Sequence, residues 1–190
     1  MELSKRAANI QVAVGEARLL KHLEQVVARG LEDKLVLLPL QIKHVRLENI
    51  GPFKLFEAQL RRDQVNLLFG LGGAGKSVVL RSIALCFGIP NRYFQDVGRM
   101  GRSGRIDIEV YPFGNRVFMK GRQATLKTRF LNAQCVLLDE PFDHLVPSEA
   151  RRLVDTLRRM KKQVILASRL SCIKDAVPSR NTILISTQLM

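Results

Sequence analysis

The feature that most constrains this chain is the glycine-rich run Gly70-Leu71-Gly72-Gly73-Ala74-Gly75-Lys76-Ser77. It fits the pattern G-x-x-x-x-G-K-[ST], follows the apolar segment Val65–Phe69 and opens a predicted helix over Ser77–Phe87. A strand, a glycine-rich loop and a helix in this order let backbone N–H groups and the positive end of the helix surround a phosphate. The run therefore predicts a phosphate-binding loop within an α/β domain.

Two side chains of the run are candidate ligands of a nucleotide and its metal ion. We expect Lys76 to reach the β- and γ-phosphates and the Ser77 hydroxyl to bind Mg²⁺. The remaining contacts to the phosphates are expected from the loop itself, at Gly70, Gly72, Gly73, Ala74 and Gly75.

A second motif joins an apolar strand to two carboxylates. Cys135–Leu138 is a predicted buried strand, and Asp139 and Glu140 follow it directly. A carboxylate at the end of such a strand can hold Mg²⁺ through water, which assigns a metal role to Asp139. Glu140 is placed to orient or deprotonate an attacking water molecule and is the candidate catalytic residue.

Strand and helix patterns alternate along most of the chain, which indicates an α/β fold with a mainly parallel sheet and flanking helices. The segment of residues 1–40 is predicted to be a mostly helical N-terminal extension, with an ATPase-like domain over residues 41–190. Strands are predicted over Lys54–Leu60, Val65–Phe69, Arg105–Tyr111, Arg116–Lys120, Cys135–Leu138, Val164–Ala167 and Thr182–Ser186, and further helices over Gln123–Asn132 and Ser148–Met160.

Charge is the unusual element of the composition. The chain has 31 Lys and Arg against 17 Asp and Glu, which gives a net charge of +14. Such an excess favours polyanionic partners: nucleic acid, an acidic membrane surface or an acidic protein. A basic but inert surface is the alternative.

One basic segment suits the backbone phosphates of duplex DNA. Arg99, Arg102 and Arg105 are spaced by glycine and serine in a loop and are the candidate nucleic-acid contacts. A second basic group lies on or just after the predicted helix over Ser148–Met160, where a solvated helix face is the more ordinary interpretation. Aromatic residues make up 6%, too few to indicate a stacking platform for single strands.

The cysteines and the apolar runs indicate the cellular compartment. The three cysteines form no Cys-x-x-Cys pair, so neither a disulfide framework nor a zinc site is expected. No apolar run reaches the roughly 18–20 residues that span a bilayer. We therefore expect a cytoplasmic protein without stable membrane insertion.

The two motifs together resemble the ABC ATPase superfamily. The run Leu137-Leu138-Asp139-Glu140-Pro141 is identical to that superfamily's LLDEP motif, and the segment Gln41–Phe53 is similar to the first strand of its SMC and RecF branch. The resemblance implies a P-loop NTPase fold with an antiparallel β subdomain, and binding and hydrolysis of Mg-ATP. It further implies action on or near double-stranded DNA, as a homodimer or with a partner protein that completes the site.

The chain departs from the family pattern at several positions. Met119–Gln123 is the nearest run to the Leu-Ser-Gly-Gly-Gln signature, but Lys120 replaces its serine and the run lies slightly too close to Asp139, so the signature is not recognisable. Leu145-Val146 replaces the usual D-loop, and Arg169 occupies the position of the switch histidine. Gln95 or Gln123 could serve as the Q-loop glutamine, and Gln123 is the candidate nucleotide contact. A non-hydrolytic, nucleotide-gated binding module is the alternative function. A transporter subunit is disfavoured because only 62 residues separate Lys76 from Asp139.

Overall fold

A computed structural model of the chain describes residues 2–28, 34–89, 104–111, 130 and 132–186. We number the elements in chain order. The helices are α1 (Glu2–Ala28), α2 (Lys76–Cys86), α3 (Pro147–Arg159) and α4 (Ser171–Ala176), with a 3-10 turn over Ser179–Asn181. The strands are β1 (Leu35–Leu38), β2 (Ile42–Ile50), β3 (Phe53–Gln59), β4 (Val65–Phe69), β5 (Arg105–Val110), β6 (Cys135–Asp139), β7 (Gln163–Ser168) and β8 (Thr182–Leu184).

The larger sheet has five strands in the order β1-β6-β7-β4-β8. Strands β6, β7, β4 and β8 run parallel, and β1 pairs antiparallel with β6 at one edge. Every residue of β7 is buried, as expected for a parallel strand covered on both faces. The predicted α/β class with a mainly parallel sheet is therefore confirmed.

The N-terminal segment is mostly helical, as predicted, but it also contributes a strand. Helix α1 accounts for Glu2–Ala28, but Leu35–Leu38 forms strand β1, in which Leu35 pairs with Leu138 of the neighbouring strand β6. Helix α1 packs on α3, where a Cβ at Gly15 would lie 2.9 Å from Thr156 Oγ1. A four-residue apolar run carries too little periodicity to separate a strand from a helix. Residues 1–40 therefore contribute a strand and a helix to the core rather than a helical extension alone.

A three-stranded antiparallel sheet, in the order β3-β2-β5, lies beside the larger one. It is joined to β7 by the buried amide of Gln163, whose Oε1 accepts from the Ile42 N–H at 2.7 Å and whose Nε2 donates to the Ile42 carbonyl at 2.6 Å. The predicted strand Arg116–Lys120 and most of the predicted helix Gln123–Asn132 lie outside the described residues.

The hydrophobic core has two parts, one on each face of the larger sheet. One part packs the sheet against α2 and the antiparallel strands, and the other packs it against α1, α3 and α4. Within the described ranges, the helices are too short or too polar to cross a membrane.

Candidate nucleotide site

The residues of the two predicted motifs come together at the carboxyl edge of the parallel sheet. The loop Gly70–Gly75 leaves β4, Glu140 follows β6, and Arg169 follows β7. Because these three strands are parallel neighbours, their carboxyl ends lie along one edge, which is where ligands bind in open α/β sheets.

Lys76 is the first residue of α2, and its side chain is buried, with 5% exposed. Its Nζ donates to the carbonyl oxygens of Gly70 and Leu71, each at 2.9 Å, and lies 3.0 Å from Oε1 of Glu140. A buried ammonium group is costly unless it is paired and hydrogen-bonded, and here it is both. The loop therefore holds a cation against its own backbone and against the carboxylate after β6.

Two glycines of the loop have a visible structural requirement. Gly75 has a φ of 101°, and a Cβ there would lie 2.5 Å from the ring of Phe53 and 2.6 Å from Pro52, which both come from the β2–β3 hairpin. A Cβ at Gly70 would collide with the carbonyl oxygen of Ile185. The antiparallel sheet and the segment after β8 therefore press on the loop from outside and fix its shape.

The rest of the loop is more open. Leu71, Gly72 and Gly73 are exposed, and a Cβ at either glycine would meet nothing within 4 Å. Ala74 is buried beneath the loop, and Ser77 is half-buried in the first turn of α2.

Glu140 occupies an unusual backbone conformation and a partly buried position. Its φ is 46°, and its N–H donates to the Ala167 carbonyl at 3.0 Å, which docks the end of β6 on β7. Its Oε2 accepts from the N–H of Arg169 at 3.2 Å. Burial is the largest influence on the Glu140 carboxyl and raises its pKa; Asp143 raises it further, whereas Lys76 acts in the opposite direction. A carboxylate of increased proton affinity suits the role of a base.

Arg169 lies beside this carboxylate but is paired elsewhere. Its guanidinium Nη2 lies 3.1 Å from Oδ2 of Asp143, and the other Asp143 oxygen is buried without a hydrogen-bond partner among the described residues. Lys76, Glu140, Asp143 and Arg169 thus form one charged cluster of two cations and two carboxylates.

Asp139 ends β6 and is half-buried. Its Oδ1 is shielded from solvent and has no hydrogen-bond partner within the described part of the chain, so this acceptor can take a water molecule or a metal ion. The described residues contain no group of three or more His, Cys, Asp or Glu that could hold a metal ion by themselves. Mg²⁺ does not require one, since it is bound in such sites by one or two protein oxygens together with phosphates and waters. Asp139 and Ser77 therefore fit the metal role.

Of the other sequence-predicted site residues, the structure describes only Arg105. Arg105 lies on β5 and is paired with Asp107 at 2.8 Å. Arg99, Arg102 and the proposed glutamines Gln95 and Gln123 lie outside the described residues, as does the run Met119–Gln123.

One contact of the site had no signal in the sequence motifs. His22 of α1 is buried, and its Nε2 donates to the carbonyl of Pro141, the residue after Glu140, at 2.8 Å. The His22 ring stacks on His144 with 5.2 Å between ring centroids and lies against Phe142. Helix α1 therefore supports the segment that carries the candidate base. His22 and Pro141 are 119 positions apart in the chain, so the sequence motifs do not indicate this contact.

Searches of protein-family models and of curated proteins give no match to this chain. The function proposed below therefore depends on the residues of the site.

Proposed function

We propose that the chain binds Mg-ATP at the loop Gly70–Ser77 and hydrolyses it with Glu140 as the base. The observation that carries this proposal is the buried contact between Lys76 and Glu140, 3.0 Å from Nζ to Oε1. It brings the cation of a phosphate-binding pattern and the carboxylate of a strand-end pattern into one site, although 63 positions separate them in the chain.

Each residue has a distinct role in this proposal. On nucleotide binding, the Lys76 ammonium turns from the loop carbonyls toward the β- and γ-phosphates, and the loop N–H groups contact the phosphate oxygens. Ser77 and Asp139 would hold Mg²⁺, which would neutralise charge on the phosphates.

Glu140 acts on the water molecule. It accepts a proton as the water oxygen bonds to the γ-phosphorus, and the bond from that phosphorus to the β–γ bridging oxygen breaks, releasing ADP and phosphate. The raised pKa of Glu140 strengthens this base, and the Arg169 N–H keeps its carboxylate oriented.

The wider assignment is to a P-loop NTPase of the ABC type, similar to the SMC and RecF branch. The five-stranded, mainly parallel sheet and the adjoining antiparallel sheet are consistent with it, as is LLDEP at residues 137–141. The net charge of +14 supports duplex DNA as the polyanion. A second copy of the chain or a partner protein would complete the site. The protein would act in a reducing compartment such as the cytoplasm.

A non-hydrolytic nucleotide-gated module is the second candidate, and one observation favours it. Position 169 holds an arginine whose guanidinium is paired with Asp143 and whose N–H is bonded to Glu140. If these contacts persist with nucleotide bound, they hold Glu140 away from the attacking water molecule. Nucleotide binding without hydrolysis would then change the shape of the carboxyl edge of the sheet.

Steady-state ATP turnover, with and without duplex DNA, tests the proposal. Lys76→Ala is the blank, and Glu140→Gln preserves the size of the side chain while it removes the base. ATP turnover that both substitutions abolish supports an ATPase. Stimulation of that turnover by duplex DNA supports action on DNA. ATP binding without turnover above the blank favours the second candidate, and absence of ATP binding contradicts both.

A further inference from the structure

The edge of the larger sheet opposite the phosphate-binding loop is strongly basic. Parallel strands β4, β7 and β8 all begin at this edge, so the residues that precede them are brought together. Arg61 and Arg62 precede β4, Lys161 and Lys162 precede β7, and Arg180 precedes β8. The chain thus gathers cations from three distant segments at one place.

One groove opens at this edge, and a second adjoins it along α3. The first, of about 470 Å³, lies between the end of α3, the start of β4 and the 3-10 turn, and Arg158, Arg159 and Arg180 line it. The second, of about 430 Å³, lies between α1 and α3, and Arg18, Arg152 and Arg159 line it. Both are bordered by Arg159 and Asp155, so they meet at the end of α3 and form one continuous surface, which we call the arginine groove.

The charge of the arginine groove is only partly neutralised. Its two aspartates, Asp63 and Asp155, face Arg62 at 3.3 Å and Arg158 at 3.4 Å respectively. The other four arginines of the groove are exposed, and their guanidinium groups have neither a hydrogen-bond nor an ion-pair partner in the part of the chain that the structure describes: Arg18, Arg152, Arg159 and Arg180. A solvated helix face explains an isolated arginine, but not four unpaired ones that converge on a concave surface from three segments.

We propose that the arginine groove binds the sugar–phosphate backbone of a nucleic-acid duplex. Arg152 and Arg159 lie on one face of α3, seven residues and therefore about 10 Å apart along the helix axis. One DNA strand presents about three phosphates over that axial length, at 3.4 Å each. Arginine forks match phosphate oxygens in pairs, which suits this arrangement.

This inference rests on the proposed action on DNA and gives it a location. The residues that line the groove are distinct from those of the nucleotide site, so both can be occupied at once. The groove is also separate from Arg105, which lies on β5 of the antiparallel sheet.

An acidic membrane is the competing polyanion, and the shape and composition of the surface disfavour it. Membrane-surface binding depends on exposed apolar side chains that enter the headgroup region. Of the exposed large apolar side chains in the described residues, Val14 alone lines the groove. A concave, arginine-rich and mostly polar surface fits a phosphate backbone better.

The test compares the double variant Arg159→Gln/Arg180→Gln with Lys21→Gln/Lys54→Gln. Both variants lose two positive charges from exposed positions, but Lys21 and Lys54 lie outside the groove. Affinity for a short fluorescent DNA duplex is measured by anisotropy over a range of salt concentrations. The groove variant should bind at least about tenfold more weakly and lose about two from the slope of log affinity against log salt. The lysine variant should keep the wild-type slope, and thermal unfolding confirms that each variant is folded.

Duplex RNA and anionic phospholipid vesicles serve as further probes. Loss of affinity for either duplex in the groove variant alone supports the proposal, and the preferred duplex identifies the source of the phosphates. Equal affinity and equal salt slope in wild type and groove variant would overturn it, as would binding to vesicles without binding to either duplex. Measuring ATP turnover without DNA distinguishes failure of the groove proposal from failure of the proposed ATPase. The groove variant should keep turnover, and Lys76→Ala should lose turnover but retain affinity for the duplex.

Discussion

The ammonium nitrogen of Lys76 lies 3.0 Å from Oε1 of Glu140 and joins the loop after β4 to the loop after β6. Strand β7 separates these two strands in the sheet, so the contact crosses the carboxyl end of β7. A cation and a candidate base are thereby held in one mostly buried cluster. Any ligand that draws Lys76 toward a phosphate must also change the surroundings of Glu140, which couples nucleotide binding to the state of the base.

The stability of the protein should depend on pH through Glu140. Burial raises the pKa of this carboxyl above its ordinary value of 4.5, so the folded chain binds the proton more tightly than the unfolded chain does. The free energy of unfolding should therefore fall as pH rises from 4.5 through the raised pKa, and this contribution should be constant above it. Glu140→Gln should lack the contribution.

Urea unfolding of wild type and Glu140→Gln at a series of pH values measures this effect. The difference in unfolding free energy between them should change in that window, with wild type losing stability relative to the variant as pH rises. A difference that stays constant across the series would show that Glu140 titrates alike in the folded and unfolded states.

Gly75→Ala should destabilise the protein by about 2 kcal/mol or more, because the substitution combines a left-handed backbone with overpacking. The new Cβ would lie 2.5 Å from the Phe53 ring at a φ of 101°. Gly72→Ala is the matched control, since its Cβ meets nothing within 4 Å. Chemical denaturation should rank Gly72→Ala close to wild type and Gly75→Ala well below it. Equal losses in the two variants would contradict the packing of the β2–β3 hairpin on the loop.

His22→Ala should lower the free energy of unfolding by roughly 2 kcal/mol, since it removes a buried hydrogen bond and leaves the Pro141 carbonyl without its donor. The adjacent substitution Lys21→Ala changes an exposed side chain of the same helix and should have little effect. Unfolding free energies of the two variants are compared directly. If His22→Ala is as stable as Lys21→Ala, helix α1 does not support the segment after Glu140.

Gln163→Leu should cost roughly 2–4 kcal/mol, because it keeps the size of the buried side chain but leaves the N–H and carbonyl of Ile42 without partners. Gln25→Leu, on the exposed face of α1, is the control for the same chemical change. Denaturant midpoints measure both. Equal midpoints would mean that the bridge between the two sheets contributes nothing to folding.

The site could be predicted from the sequence where its residues are local in the chain. Gly70, Gly75, Lys76 and Ser77 lie in one loop and the first turn of a helix. Their relative positions therefore follow from the local sequence. The apolar strand before Asp139 likewise indicates where the carboxylates lie. The convergence of both motifs on one edge followed from the parallel sheet.

The parts that could not be predicted depend on contacts between distant residues. Nothing near His22 indicates that its ring lies against Pro141, and Gln163 reads as a polar residue at the start of a strand rather than as a bridge to Ile42. Strand β1 is recognisable only through its pairing with β6. The arginine groove likewise depends on three segments that only the fold brings together.

The most direct test of the nucleotide site is the equilibrium binding of Mg-ATP, measured by titration calorimetry for wild type and Lys76→Ala. Thermal unfolding of the variant without nucleotide establishes that it is folded. Wild type should bind, and Lys76→Ala should bind at least about a hundredfold more weakly, because two or more charge-assisted contacts to phosphate are lost. Equal affinities, or no binding of Mg-ATP by wild type, would contradict the assignment of Gly70–Ser77 as a nucleotide-binding loop.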